Sequence, residues 1–530
     1  MTGMKTPWLL TGLQFGMDEV SRVFLLFSTL IWIAAGAYAL SSGRSAETTR
    51  WFFVFYCISL FANLGLIPAQ DMVGFYLFFS VMTFASYILI VQGEAQRARY
   101  AGKVYITMAL IGEILIVSAM MLIAPGAESL HFRHIRAAAA ASAHRDLFVC
   151  LVLSGFGVKT GAPLLHMWMP LAYTAAPVPA AVVLSGAMVN AGLLGWIRFL
   201  PLGEVALPGW GTLCLAAGIA AAFYGVAVGV FQDNPKTVLA YSSISQMGLM
   251  TLAIGTGLAF PEAWPAALSS LLVYATHHAL HKSSLFMGTV IVQGMSRNPF
   301  SYAGLLFSSL ALAGAPFTSG AVAKVSLKAA TGSPHNGGAL WLEWLLPLTA
   351  FGTTLLMGRF LFLVRDSRKQ GVARRPATGA LASWIILLAG AAAAGFALPF
   401  DDPFDTVRLS RTLKNVLSAL WPVLGGILAL GAVWRMMRGR AATLPVKIPP
   451  GDIIEPVVRG LRSLQACWKK YPVKIFEAGG RLLVLIVSGF RKGTFLSNTI
   501  VNAERNLTRW TVAGAVFLIL AVLMFFLMSC

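Results

Sequence analysis

Apolar runs of about 18 residues or more recur along nearly the whole chain, and each is long enough to cross a ~30 Å hydrocarbon core as a helix. The pattern predicts about fourteen spanning helices, near 19–41, 50–68, 72–92, 104–124, 147–170, 177–199, 209–231, 236–259, 263–294, 301–329, 341–363, 379–399, 412–436 and 507–529. The first run is too long for a signal-peptide core and lacks a small-residue cleavage site, so it is expected to remain as a span. Two stretches depart from the pattern. Residues 126–146 are polar, with His131, Arg133, His134, Arg136 and a run of alanines, and predict a surface hairpin or short helix. Residues 445–505 mix apolar and basic positions without a clean span, which suits one or two amphipathic helices on the cytoplasmic membrane face or against a partner.

Composition strengthens the membrane reading. The chain is 57% hydrophobic and 11% charged with a mean hydropathy of +0.75, whereas a soluble domain carries roughly a quarter charged residues. Its net charge of +20 lies in connections between apolar runs, a placement that fits topology and anionic lipid rather than nucleic acid. Connections after odd-numbered predicted helices hold Arg97, Arg99 and Lys103, then Arg365, Arg368, Lys369, Arg374 and Arg375, then the basic stretch 438–505. Those after even-numbered helices are short, neutral or acidic, as at Asp401, Asp402 and Asp405. The asymmetry places the odd connections in the cytoplasm and both termini outside, in a bacterial inner membrane. Cys57, Cys150, Cys214, Cys467 and Cys530 form no CxxC and no metal or cluster spacing, so no cofactor or metal is expected on this chain. No phosphate-binding loop or nucleophile–base motif stands out either, so covalent catalysis by the chain itself is not expected.

Charge inside the apolar runs then becomes the informative feature. A charged side chain at the centre of a span costs about 2.5–3.5 kcal/mol on insertion scales, which favours placement toward the bundle interior or a wet path. Lys159 lies in GFGVKTGAPLLHMWMP and Lys324 in GAPFTSGAVAK, each beside glycines and a proline that interrupt helical hydrogen bonding. Two such broken helices, one in each half, suit the inverted-repeat plan of secondary transporters. His278 and Lys282, four residues apart, share a helix face. Imidazoles and desolvated lysines exchange protons, and a row of them bridged by water makes a proton path. Lys236 begins the helix continuing VLAYSSISQMG, a position that also suits an interfacial lysine. His277 and His281 point off the His278 face and are expected to pack as satisfied residues. His166, beside Trp168 at a helix end, is open to a structural or a functional reading.

At these segments, FGVKTGAPLLHMWMPLAYTAAPVPAAVVLSGAMVNAG, DNPKTVLAYSSISQMG, HALHKSSLFMGT and ALAGAPFTSGAVAK, the chain resembles the antiporter-like membrane subunits shared by complex I, multisubunit cation/proton antiporters and membrane-bound hydrogenases. The resemblance runs from about Gly16 to Arg359. It implies an all-α proton channel in which Lys159 is the lysine of the first broken helix, Lys236, His278 and Lys282 are the connecting residues, and Lys324 is the terminal charge of the second. It implies a chain division at 1–103, three leading helices; 104–260, a first repeat broken near 155–176; 261–436, a second repeat broken near 312–324; 437–506, the amphipathic segment; and 507–530, a last helix. The implied partners are other membrane subunits and a peripheral redox or coupling module.

Four departures accompany it. Ser80 stands where the family carries a glutamate that pairs with the broken-helix lysine, and Asn190 where a lysine is frequent. Two helices that usually precede Asp18 and a long lateral helix are not evident. Glu113, the one acid deep in an early predicted span, is expected to replace the missing partner. The preferred function is a proton-translocating subunit of a larger complex. A stand-alone or two-component cation/proton antiporter is the alternative, disfavoured for sodium because that ion needs several buried oxygens and deep carboxylates are scarce. A scaffold that has lost conduction is the other.

Overall fold

The computed structural model describes residues 4–6, 13–42, 50–92, 95–295, 299–332, 340–367, 376–396, 402, 405–436 and 448–452. The chain divides into two compact units, residues 15–452 with the first three, and residues 4–14 with 453–530. Of the second, the described residues are 4–6, which form β1 (Met4–Thr6), and 13–14, which begin β2 (Leu13–Phe15). The predicted last helix and nearly all of the 445–505 stretch lie outside the described residues.

The larger unit is helical throughout. In chain order it comprises α1 (Glu19–Ser41), α2 (Arg50–Leu66), α3 (Met72–Val91), α4 (Ala95–Ile123), α5 (Phe132–Ala141), α6 (Arg145–Thr160), α7 (Trp168–Ala175), α8 (Val178–Val183) and α9 (Val189–Phe199). It continues through α10 (Pro208–Gly229), α11 (Pro235–Ala259), α12 (Trp264–Gly294), α13 (Pro299–Ala313), α14 (Ser319–Thr331), α15 (Leu340–Ser367), α16 (Thr378–Ala393), α17 (Thr406–Ser410) and α18 (Leu413–Met436). Among the described residues, eight helices are long and apolar enough to cross a membrane, and α2, α13 and α16 are shorter apolar helices.

Local chemistry sets the starts. Asp18 caps α1 by accepting from Ser21 N at 2.8 Å, and Asp71 caps α3 through Gly74 N at 2.7 Å, so orphan amide donors at each terminus are satisfied. α4 begins earlier than the apolar pattern suggests, because the Ala-Gln-Arg stretch before the span has strong helix propensity; Arg97, Arg99 and Lys103 ride its first turns. The polar stretch after α4 holds the short helix α5, capped by the His131 side chain.

Burial separates core from periphery. α11 and the segment Val178–Phe199 are buried over their entire apolar windows, while the window of α18 is 17% buried, so α18 presents most of its surface outward. α12 is buried from Ala267 to Thr289 with few exceptions. These three buried segments form the centre, and they are where serines, threonines, glutamine, histidines and lysine are concentrated.

A buried row of ionisable side chains

The row starts where α6 stops. Gly161 takes φ +75°, a left-handed conformation that glycine adopts without penalty, and closes α6 by donating its N–H to Gly157 O. The chain runs without regular helix through 162–167 before α7 begins. Lys159, in the last turn of α6 and 5% exposed, donates to Tyr105 OH at 3.0 Å and to Thr83 Oγ1 at 3.4 Å. Glu113, on α4 and 1% exposed, accepts from Ser80 Oγ at 2.6 Å through Oε2, while its Oε1 has no partner among the described residues. Glu113 and Lys159 line one small cavity together with Thr83, Tyr105 and Trp168. They share this space rather than touching. Ser80, standing where the resemblance implied a glutamate, is thus the hydroxyl that holds Glu113.

Between α8 and α9, Leu184–Met188 form a single π-helical turn. Asn190 donates its Nδ2 to Gly186 O at 2.6 Å beside this turn, and its Oδ1 is buried without a partner among the described residues. A Cβ on Gly186 would lie 2.0 Å from Ser283 Oγ and 2.9 Å from Ala279 O, so this glycine lets the segment approach the α12 backbone. The π turn was not anticipated from the sequence.

The centre is built by α11 against α12. Lys282 Nζ donates to Leu239 O at 2.9 Å, and Tyr274 OH donates to Gln246 Oε1 at 2.9 Å. These bonds fix an antiparallel register that sets Ser242 opposite His278. On α12, Ser270, Tyr274, His278 and Lys282 recur every four residues and share a face. His278 is fully buried with neither ring nitrogen partnered, and Ser242 Oγ, Gln246 Nε2 and Ser270 Oγ are likewise buried and unpartnered among the described residues. Lys236 lies one turn from Leu239 at the start of α11, half-buried, with Nζ donating to Ala176 O at 3.0 Å.

The far end is the interval between α13 and α14. Gly314 at φ +86° and Phe317 at φ +61° turn the chain, and α14 opens at Ser319. Lys324 Nζ reaches back to Ala313 O at 2.5 Å. Ser319 Oγ lies 2.9 Å from His277 Nδ1 and 2.8 Å from His281 Nε2, bridging the two imidazoles. His281 departs from the expectation of satisfied packing, since its Nδ1 is buried without a partner among the described residues, and the two histidines also connect α12 to the helix that carries Lys324. Their i, i+4 spacing was the readable signal; the serine that joins them was not.

His166 lies in the connection between α6 and α7, 1% exposed, with Nε2 3.2 Å from Tyr224 OH and 3.9 Å from an oxygen of Asp452. Asp452 itself accepts from Tyr224 OH and, at 2.9 Å, from Tyr241 OH. Sequence reasoning missed Asp452, because it follows α18 in a basic stretch and gives no local sign of returning to the connection between α6 and α7. Two ion pairs flank the row at helix ends: Arg198 with Asp18, and Arg359 with Asp233 at 2.9 Å.

Comparison with known proteins agrees with this architecture. The family model described as NADH:quinone oxidoreductase/Mrp antiporter, TM, matches residues 69–335. Hydrogenase-4 component B of Escherichia coli is 28% identical over 353 residues, which is 64% of this chain and 51% of that protein. A putative antiporter subunit of Staphylococcus saprophyticus is 27% identical over 352 residues, covering 61% of this chain and 44% of the relative. The chain therefore spans about half the length of these two relatives. Among solved structures, the Mrp complex of Dietzia sp. DQ12-45-1b has a chain with a TM-score of 0.66 at 20% identity, over 92% of this chain and 57% of its own. A chain of an archaeal membrane-bound sulfane sulfur reductase gives 0.65 at 20% identity, over 98% and 91%. The family match spans the α3–α14 region that contains Glu113, Lys159, Lys282 and Lys324. The chain belongs to the NADH:quinone oxidoreductase/Mrp antiporter transmembrane family.

Proposed function

We propose that this chain is the proton-conducting, antiporter-like subunit of a complex I-related respiratory or hydrogenase-type complex in a bacterial inner membrane. Protons move along the row from Glu113 and Lys159, past Lys236, His278 and Lys282, to Lys324, with His166 at one side. On this reading α6–α7 and α13–α14 are two spans interrupted at membrane depth, one in each of two inverted halves among about fourteen spans. The carrying observation is the set of polar atoms of α11 and α12 that are buried and unpartnered among the described residues, on Ser242, Gln246, Ser270 and both nitrogens of His278. Leaving such an atom dry costs about 1–3 kcal/mol, so a run of them facing one another calls for water. Lys282 supports the same conclusion: an ammonium has three donors, and among the described residues its acceptor is Leu239 O. Water-bridged imidazole and amine groups relay protons, whereas a purely structural core would pair or replace them.

The chain supplies the path, and partner chains supply the reaction that drives it: other membrane subunits and a peripheral redox or coupling module. The relatives named above come from a hydrogenase and from antiporter complexes, which supports membership in an assembly of this kind. Cation/proton exchange is the second reading, favoured by the likeness to the Mrp complex. Sodium needs several oxygen ligands, and Glu113 is the carboxylate on the row among the described residues, so protons are the better match. The test is proton movement in inside-out vesicles containing the assembled complex, with Lys282→Ala. Loss of pumping with assembly intact supports the path; wild-type pumping refutes it and leaves a scaffold. Dependence on sodium in the same vesicles identifies the antiporter reading.

A further inference from the structure

Past α18 the chain returns to the bundle with the sequence Ile448-Pro-Pro-Gly-Asp452. Two consecutive prolines hold the backbone stiff and extended. Gln232 anchors the segment by donating Nε2 to Ile448 O at 3.1 Å. Gly451 then takes φ +72°, with the space for a Cβ closed by Leu171 at 3.2 Å and Met167 O at 3.3 Å, so the segment lies directly against the connection between α6 and α7.

This turn aims the Asp452 side chain between helices. Tyr224 lies five residues before the end of α10 and Tyr241 six after the start of α11, so the two tyrosines that hold the carboxylate are rooted about 7.5–9 Å inside those helix ends at 1.5 Å per residue. There it accepts from both tyrosines and lies 3.9 Å from His166 Nε2, with its side chain 13% exposed. His166 Nδ1, on the opposite side of the ring, is buried without a partner among the described residues. Burial acts to raise the Asp452 carboxyl, but the His166 ring 3.9 Å away and hydrogen bonds from Tyr224 and Tyr241 outweigh it and hold the group below the usual carboxylate range. The other charged groups at this end of the bundle are Lys236, engaged with Ala176 O, and the Arg359–Asp233 pair. Basic connections on this side mark it as cytoplasmic.

We propose that Asp452 and His166 form the proton-loading pair of the cytoplasmic mouth, resting on the proton-conducting reading above. The segment 448–452 is then part of the transport machinery rather than a tether. Tyr224 gives its hydroxyl hydrogen to Asp452, so His166 Nε2 carries its N–H and donates to the Tyr224 oxygen; a proton from cytoplasmic water is taken up at Nδ1, the Asp452 carboxylate neutralises the imidazolium, and Nδ1 releases the proton toward the interior. One proton enters and one departs, and the ring returns to the neutral tautomer it started from.

The test measures proton flux against pH in liposomes containing the complex purified through this chain, alongside Lys282→Ala. Asp452→Asn is expected to lower flux at least ~10-fold, and Asp452→Glu to restore part of it. Tyr224→Phe with Tyr241→Phe removes two donors from Asp452, raises its carboxyl toward the ordinary range and moves the acid limb of the profile to higher pH. If Asp452→Asn does not assemble, this tyrosine pair decides. A wild-type profile in Asp452→Asn, or in the tyrosine pair where the asparagine variant fails, while Lys282→Ala is inactive, overturns the loading pair alone. Wild-type flux in Lys282→Ala overturns the conduction reading and this proposal with it.

Discussion

Replacing Asp18 by asparagine tests how the helices bearing the row are held. Asp18 caps α1, forms a two-pronged pair with Arg198 at the end of α9, and shares Arg198 with Ser21 Oγ, which accepts at 2.8 Å. The clamp therefore ties α1 to the helix that presents Asn190. Asparagine keeps the cap but removes the charge, leaving a guanidinium whose side chain is 5% exposed without its counter-ion. Breaking a fully buried pair from one side costs about 3–5 kcal/mol. The Asp18 side chain is 25% exposed, so water screens the site and about 2–3 kcal/mol is the better expectation. Burial alone pushes the Asp18 carboxyl up, but Arg198 and the Ser21 donors outweigh it and hold it well below the usual range. A depressed folded value means the clamp's stability is complete above the unfolded value near 3.9 and fades as pH falls below it, by about 1 kcal/mol at pH 3. Unfolding by denaturing detergent, followed by tryptophan fluorescence at pH 7 and pH 3, reads both effects. A loss below about 0.5 kcal/mol at pH 7, or an equal acid sensitivity in Asp18→Asn, refutes the reasoning.

Other substitutions probe the row itself. Glu113→Gln keeps the size and the Ser80 contact but removes the charge from the cavity shared with Lys159, so proton flux in vesicles is expected to fall at least ~10-fold; wild-type flux rules Glu113 out as the replacement acid. Ser319→Ala strips the bridge from two buried imidazoles, with an expected stability loss of about 2–4 kcal/mol from the orphaned nitrogens and a slowed flux that Ser319→Thr restores. Flux unchanged in Ser319→Ala shows that the His277–Ser319–His281 bridge has only a structural role beside the row. Gly186→Ala forces α12 and the π turn apart, because the new Cβ meets Ser283 Oγ at 2.0 Å, and assembled complex measured by native electrophoresis is expected to fall sharply; normal assembly contradicts the close approach.

The buried lysines were legible because charge is conspicuous in an apolar run, and the ends of α6 and α13 because glycine and proline cluster beside Lys159 and before Lys324. The partners of these groups were not, since each comes from a different helix. Glu113 could be chosen as an orphan acid, but that Ser80 would hold it required α3 and α4 to be seen together. Ser319 reads as an ordinary helix start until α14 is packed on α12. The π turn at Leu184–Met188 has the same apolar, small-residue composition as an α-helix, so nothing in its pattern distinguishes it. Asp452 is the extreme case, meeting His166 only through a return of the chain after twelve further helices.

The most direct test of the account is proton translocation by the assembled complex with Lys282→Ala. Lys282 is fully buried at the centre of the row, held by a backbone carbonyl rather than a counter-charge. The account predicts a complex that assembles at wild-type levels and no longer moves protons. A Lys282→Ala complex that pumps as the wild type does would contradict it.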